Sequence, residues 1–267
     1  MFSDSRIFCL AAAVMLLSGC AMTVLEDRTD CPLELILDLS EVDAARLSGY
    51  DAEDLKWGIS SDDTVWTKGS LYLEALPDEY RVAARKGKIG ISAGVCAAGY
   101  FTVDGGLRIP EGRDCPPVFT YRSSRYCDGE KLRDTVRLTR QYARMFLIMK
   151  DRRGYIAEVT GNVCGFSGDG ALVEGPFRYS ASFDSRGLSE IGIPRQKDSS
   201  MRLLLLTGSG AVARAFALGD YIVQSGYDWE APSLEDITVE IDFTEAVLAL
   251  STPSFQRTLT LDITVPE

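Results

Sequence analysis

Histidine is absent from all 267 residues of the chain. Its absence removes the imidazole general base, Ser-His-Asp and Cys-His nucleophile activation, and imidazole metal ligation. Carboxylate, lysine or tyrosine chemistry remains open. No Cys-x-x-Cys pair occurs, which argues against a zinc ribbon and a thioredoxin-like motif. Positive charge is scarce: 28 Lys and Arg stand against 39 Asp and Glu, a net charge of −11. A chain this acidic has no general phosphate-neutralising surface, so nucleic acid is not an expected partner. Anionic lipid headgroups would also repel it, so any membrane attachment has to be covalent or hydrophobic. Long apolar runs are lacking too, since nothing after residue 19 approaches the roughly 18 consecutive apolar residues of a spanning helix.

What is present begins at the N-terminus. Ile7 to Leu17 is a short apolar run preceded by Arg6 and followed by small residues, the three-part layout of an export signal. It is shorter than the roughly 20 residues a membrane-spanning helix needs. The run ends in Leu17-Ser18-Gly19-Cys20, which resembles a bacterial lipobox. That implies cleavage before Cys20 and acylation of its thiol. Residues 1–19 are then the signal peptide and 20–31 a polar, lipidated tether carrying Glu26, Asp27 and Asp30. Loss of Asp4 together with Arg6 leaves the net charge unchanged. The expected site is an outer membrane reached through N-terminal acyl chains.

An exported chain sits where disulfides persist. With Cys20 acylated, an odd set remains: Cys31, Cys96, Cys115, Cys127 and Cys164. One or two bridges are expected among Cys31, Cys96, Cys115 and Cys127, with Cys164 left over. Spacing does not fix the pairing.

Period-2 alternation dominates the rest. Leu33, Leu35, Leu37 and Leu39 alternate with more polar neighbours, as do Ile237, Val239, Ile241 and Phe243, and then Leu259, Leu261, Ile263 and Val265. Leu55–Ile59, Ser70–Leu76, Tyr80–Ala84, Thr135–Leu138, Ala143–Met149, Tyr155–Val163 and Phe177–Phe183 also read as strands. Met201–Leu206, apolar apart from Arg202, reads as a strand buried on both faces. Ser40–Asp54 and Ser123–Asp134 read as long connections, the first with room for a short helix. Asp104-Gly105-Gly106 and Arg152-Arg153-Gly154 are turn signals. Short strands bounded by Gly, Pro or Asp predict an all-β fold. About 14 of them exceed one sandwich, so two sandwiches in series are expected, 32–138 and 139–267.

Other candidate motifs read as structure. Thr207-Gly208-Ser209-Gly210 follows a strand but precedes no helical pattern and no Lys-Ser/Thr, so it is a hairpin turn rather than a phosphate loop. Asp62-Asp63 and Gly168-Asp169-Gly170 lack the oxygen spacing of a calcium loop and are turns. Trp57, Trp66, Tyr121, Tyr126, Tyr227 and Trp229 suggest an aromatic platform for sugars, the basis of an alternative reading as a surface glycan-binding or adhesion lipoprotein. No catalytic residue, cofactor or metal site is predicted.

Several blocks occur in a familiar order: Glu26-Asp27-Arg28-Thr29-Asp30-Cys31-Pro32 before a strand, Leu76-Pro77-Asp78-Glu79-Tyr80-Arg81-Val82-Ala83-Ala84, Cys115-Pro116-Pro117-Val118-Phe119-Thr120-Tyr121, Asp134-Thr135-Val136-Arg137-Leu138-Thr139-Arg140-Gln141-Tyr142-Ala143, and Asp236-Ile237-Thr238-Val239-Glu240-Ile241-Asp242-Phe243. With the lipobox, they resemble the FimB-type fimbrial anchor lipoproteins of Bacteroidales along essentially the whole mature chain. Asp78-Glu79 stands where that family commonly has a glycine before the tyrosine, and Arg85-Lys86-Gly87 replaces an aromatic-glycine segment. The resemblance implies two tandem Greek-key, transthyretin-like β-sandwich domains and no enzymatic activity. It also implies a role as the membrane-attached base of a type V fimbria, which binds a fimbrial stalk subunit by strand donation and limits stalk length.

Overall fold

The structure, a computed structural model, describes residues 32–50, 52–61, 64–97, 100, 106–150, 154–168, 170–242, 247–253 and 255–260. It is all-β, as the alternation predicts. The first half holds β1 (Leu33–Asp38), the short helix α1 (Ala44–Ser48), β2 (Ala52–Ser61), β3 (Thr64–Tyr72), β4 (Glu79–Ala84), β5 (Gly87–Ala97), β6 (Leu107–Arg108), β7 (Val118–Cys127), β8 (Lys131–Thr135) and β9 (Thr139–Arg140). The second holds β10 (Tyr142–Met149), β11 (Ile156–Phe166), β12 (Leu172–Ser182), β13 (Leu188–Pro194), β14 (Arg202–Leu206), β15 (Val212–Phe216), the helix α2 (Leu218–Gln224), β16 (Ile237–Asp242), β17 (Val247–Thr252) and β18 (Phe255–Thr260).

Four sheets result, with orders β4-β1-β8, β3-β2-β5-β7-β9, β12-β11-β14-β15 and β13-β10-β16-β17-β18. The same wiring appears twice. In the first pair of sheets β1 lies between antiparallel β4 and parallel β8, with Leu35 opposite both Val82 and Leu132. In the second pair β10 lies between antiparallel β13 and parallel β16, with Leu147 opposite both Ser189 and Val239. The order β3-β2-β5-β7 likewise matches β12-β11-β14-β15. The repeat ends at β17 and β18, which extend the second copy beyond β16 and have no counterpart beside β8 among the described residues.

Alternation explains the cores. Leu33, Leu35 and Leu37 of β1, Ile89, Ile91 and Val95 of β5, Met145 and Leu147 of β10, and Val239 of β16 are all buried. Each such side chain removed from water contributes about 1.5–3 kcal/mol. Phe119 of β7 meets Tyr50 at 5.6 Å and Tyr142, at the start of β10, at 5.9 Å between ring centroids, so one apolar cluster runs through both halves.

The segment 106–117 precedes β7 yet packs on the second pair of sheets. Leu107–Arg108 pairs with Gly165–Phe166 of β11, Ile109 N donates to Cys164 O at 2.9 Å, and Cys115 N donates to Gly192 O at 2.9 Å. Gly165 and Gly192 permit the approach, because a Cβ on either would collide with the backbone of Leu107 or Cys115.

The structure departs from the sequence reading in places. Ser123–Asp134 is no connection; it holds the end of β7 and most of β8. Its alternation is masked because Arg122, Ser124, Arg125 and Tyr126 are exposed. Met201–Leu206 is not buried on both faces: Leu203 and Leu205 are buried, while Leu204 and Leu206 are half-buried. Thr207–Ala211 is the expected hairpin turn, closed by Thr207 N to Ala211 O at 2.8 Å, with Gly210 at φ +82°. The signal and tether, Asp62-Asp63, Asp104-Gly105, Arg152-Arg153, Asp169 and Leu261–Val265 lie outside the described residues.

Candidate functional site

Cys20 and Cys31 lie outside the described residues. Cys96, Cys115, Cys127 and Cys164 are free thiols. Burial pushes the Cys96 thiol up to about 12 and that of Cys115 well above its ordinary value. Neither is therefore a ready thiolate nucleophile. Cys127 ends β7, 3.8 Å from Lys131 O, and Cys164 packs against the Val173 carbonyl at 3.7 Å. Among the described residues no group of three or more Cys, Asp or Glu is placed to hold a metal ion.

The described aromatic side chains do not assemble into a platform. Trp57 and Trp229 are core residues. Trp57 packs on Tyr80 at 5.3 Å, and Trp229 meets Tyr227 edge-on at 4.8 Å. Tyr227 donates its hydroxyl to Glu235 O at 2.8 Å, and Tyr121 is half-buried. Tyr126 is exposed, and the Trp66 side chain lies outside the described residues. Alternation had placed Trp57 in a strand but could not tell its inward face from its outward one.

The polar concavity with the most chemistry lies where β7 and β8 diverge into different sheets. It is a slot of about 450 Å³ lined by Tyr121–Arg125 on one side and by Arg133, Asp134, Thr135 and Arg137 on the other. Asp134 is 3% exposed and reaches across it. Its carboxylate accepts from the Tyr121 hydroxyl at 2.6 Å and from Arg125 Nε at 3.1 Å. Burial and the Asp134 hydrogen bond raise the Tyr121 hydroxyl, so it stays protonated as a donor. Its own hydrogen bond to Asp134 raises the Arg125 guanidinium.

The outer wall is cationic but tethered. Arg133 donates to Glu79 at 2.7 Å and to Asp38 at 3.2 Å, and Arg137 makes a paired contact with Glu41 at 2.6 and 2.8 Å. These guanidinium side chains remain more than half exposed. Each guanidinium offers five donors, so these pairings leave capacity for another anion. The sequence reading passed over Arg125 and Arg133 because Ser123–Asp134 read as a connection, and over Arg137 because Thr135–Leu138 read only as a strand. The signal for them was positive charge concentrated at Arg122, Arg125, Lys131, Arg133 and Arg137 in an acidic chain.

A second arginine group closes the junction between the halves. Arg195, half-buried, donates to Gln141 Oε1 and to Ala231 O at 2.7 Å each, and to Trp229 O. Asp236 accepts from Arg144 at 2.9 Å and from Arg140. Burial works to raise the Asp236 carboxyl, but the two arginines overcome it and hold it below the ordinary range.

The architecture is thus that of an all-β protein built from two sandwiches of the same wiring. No family model matches the sequence, and no curated protein matches it. Solved structures do. A candidate polysaccharide-binding protein of Bacteroides thetaiotaomicron shares the fold with a TM-score of 0.61 at 11% identity, over 86% of this chain and 98% of that one. The fimbrial anchor protein Mfa2 of Porphyromonas gingivalis shares it with a TM-score of 0.56 at 10% identity, over 85% of this chain and 99% of that one. A candidate adhesin of B. thetaiotaomicron gives 0.56 at 12% identity, over 87% and 99%. The chain has the fold of these Bacteroidales fimbrial-anchor and adhesin structures.

Proposed function

We propose that the chain is a non-enzymatic outer-membrane lipoprotein that anchors a type V fimbria, binds its stalk subunit by strand complementation and limits its length. The observation that carries this reading is the fold match over 99% of the length of a fimbrial anchor protein. In this reading residues 1–19 are removed and Cys20 carries the acyl chains; two or more chains make attachment stable where one is marginal. No helix among the described residues is long and apolar enough to cross a membrane, so the tether is the attachment the reading relies on. An uncovered strand edge offers unpaired main-chain donors and acceptors, which a neighbouring subunit can satisfy with a strand of its own. The buried places of Trp57 and Trp229 weigh against the glycan-platform alternative.

Replacing Cys20 with Ala should release fimbriae from cells into the medium, measured by immunoblot of cell and supernatant fractions. Fimbriae that stay fully cell-bound in this variant would overturn the anchoring role.

A further inference from the structure

We propose that Cys96 and Cys115 are joined by a disulfide in the exported protein, and that this bond fixes the root of the segment 106–117, which ties the two sandwiches together. The inference goes beyond the anchoring reading and uses only its export step.

Topology singles out the pair. In the ladder between β5 and β7, Gly87 lies opposite Cys127 and Cys96 lies opposite Val118. Cys127 and Cys96 thus stand at opposite ends of that ladder, about 30 Å apart at the rise of a strand. Cys115 belongs to the Cys96 end, since only Pro116 and Pro117 separate it from Val118. Cys164 is turned toward β12, where its sulfur packs on the carbonyls of Val173 and Glu174. Of the four described cysteines, Cys96 and Cys115 are left as the pair that shares one place.

Their surroundings agree. Each is 2% exposed, and both belong to the same apolar cluster. Burial raises the Cys115 thiol, and the charge of an ionised Cys96 adds to that rise, so the two sulfurs lie within each other's field. Tyr100 is raised by burial and by Asp114, and both cysteines contribute there as well.

The position gives the bond something to do. The chain leaves β5 after Cys96, crosses to the second pair of sheets and returns to β7 through Cys115. On the way the amides of Ile109, Gly112 and Cys115 donate to the carbonyls of Cys164, Arg178 and Gly192, one on each of β11, β12 and β13. Pro110 to Arg113 is exposed, so few buried side chains hold the middle of this strap. A bond between residues 96 and 115 restrains the loop in the unfolded chain and keeps the strap from lifting in the folded one.

Bond formation is a two-electron oxidation. The thiolate of one cysteine attacks an acceptor disulfide of a thiol oxidase in the exporting compartment. The second cysteine then displaces the acceptor from the mixed disulfide, and the acceptor leaves as a dithiol carrying both electrons and both protons. The thiolate is the attacking form, and burial holds both thiols above their ordinary range in the folded protein. Exchange therefore precedes closure of the strap onto the second sandwich.

The test uses the full chain, extracted from producing cells in urea with N-ethylmaleimide present, digested with trypsin and read by mass spectrometry. Cleavage after Lys88, Arg108, Arg113 and Arg122 places Cys96 in 89–108 and Cys115 in 114–122. The two peptides should appear as one linked species that separates on reduction. Reducing the intact native protein should lower its melting temperature by about 5–10 °C, the scale for a bridge that closes roughly 20 residues in a chain of this size. It should also speed hydrogen exchange of 106–117 about tenfold. Cys96→Ala should abolish the drop on reduction, whatever the truncation itself costs, and Cys164→Ala should keep it. Recovery of Cys96 and Cys115 as maleimide adducts, or of either bridged to another cysteine, would overturn the proposal. So would a drop on reduction that survives in Cys96→Ala. A linked species that forms on refolding with oxidised glutathione but is missing from cells would overturn the export step, and with it the bond in the cell.

Discussion

The two copies of the sandwich start from the same wiring and treat one edge in opposite ways. In the second copy β17 and β18 cover β16, and the arginines nearby are spent inward. Arg140 meets Asp236, which the exposed Arg144 also reaches from outside, and Arg195 meets backbone carbonyls of 229–231. In the first copy β8 stays uncovered among the described residues, and Arg125, Arg133 and Arg137 stand around an open slot, more than half exposed. The same side chain is thus a structural bolt in one copy and a guard on an open edge in the other. Burial decides which, because a half-buried guanidinium must satisfy its donors internally, whereas an exposed one exchanges protein partners for water at little cost.

The junction is where the contrast breaks most visibly. Arg195→Ala deletes hydrogen bonds to Gln141, Trp229 and Ala231 together, and leaves the loop carbonyls without donors. A loss of about 3 kcal/mol is expected, the scale for removing one partner from a partly buried charged network. Urea unfolding checks it. A loss below about 0.5 kcal/mol, the range of ordinary surface substitutions, would show that the two arginine groups do not differ in kind.

Within the slot, Asp134→Asn should cost less, about 2 kcal/mol, because only one of its two partners is sheltered. Tyr121 is half-buried, whereas the Arg125 side chain is 56% exposed and can turn to water. An amide still accepts from Tyr121 but loses the charge-assisted component of both bonds. Tyr121→Phe, measured beside it, separates the hydroxyl from the charge: a Phe variant as unstable as the Asn variant would assign the whole effect to the hydroxyl bond.

Much of this was readable from sequence, and what was not has a physical reason. Leu33–Leu37 and Ile237–Ile241 announce themselves because one face of each strand is fully buried and the other is not. β7 and β8 hide because their second faces line a polar slot, so Arg122–Tyr126 carries no alternation of hydropathy even though its backbone is extended. α2 hides for a related reason: seven residues give too few turns for a helical period to emerge. The inward turn of Trp57 and Trp229 could not be read either, since an indole suits a core and a surface equally by composition. Arg140 and Asp236 fall within blocks that sequence singled out by their order, yet they lie 96 residues apart in the chain and their pairing becomes visible only in the fold.

The smallest effect concerns the rim of the slot. Asp38, at the end of β1, accepts from the Ser40 hydroxyl at 2.7 Å and from the Ser40 amide at 3.2 Å, and then from Arg133. In that order these contacts hold its carboxyl down to about 2 from the ordinary 3.8. A folded value below the unfolded one means that the stabilisation is complete above about pH 4 and is lost as pH falls toward 2. The difference in urea midpoint between the parent and Asp38→Asn should therefore be constant from neutral pH to about 4 and close as pH falls toward 2. Because Arg133 is more than half exposed and solvent screens the pair, the plateau itself should be slight, well below that of Asp134→Asn measured in the same series. A difference that stays constant down to pH 2 would mean that Asp38 acts through contacts that do not depend on its charge, and that the ion pair with Arg133 adds nothing to the rim.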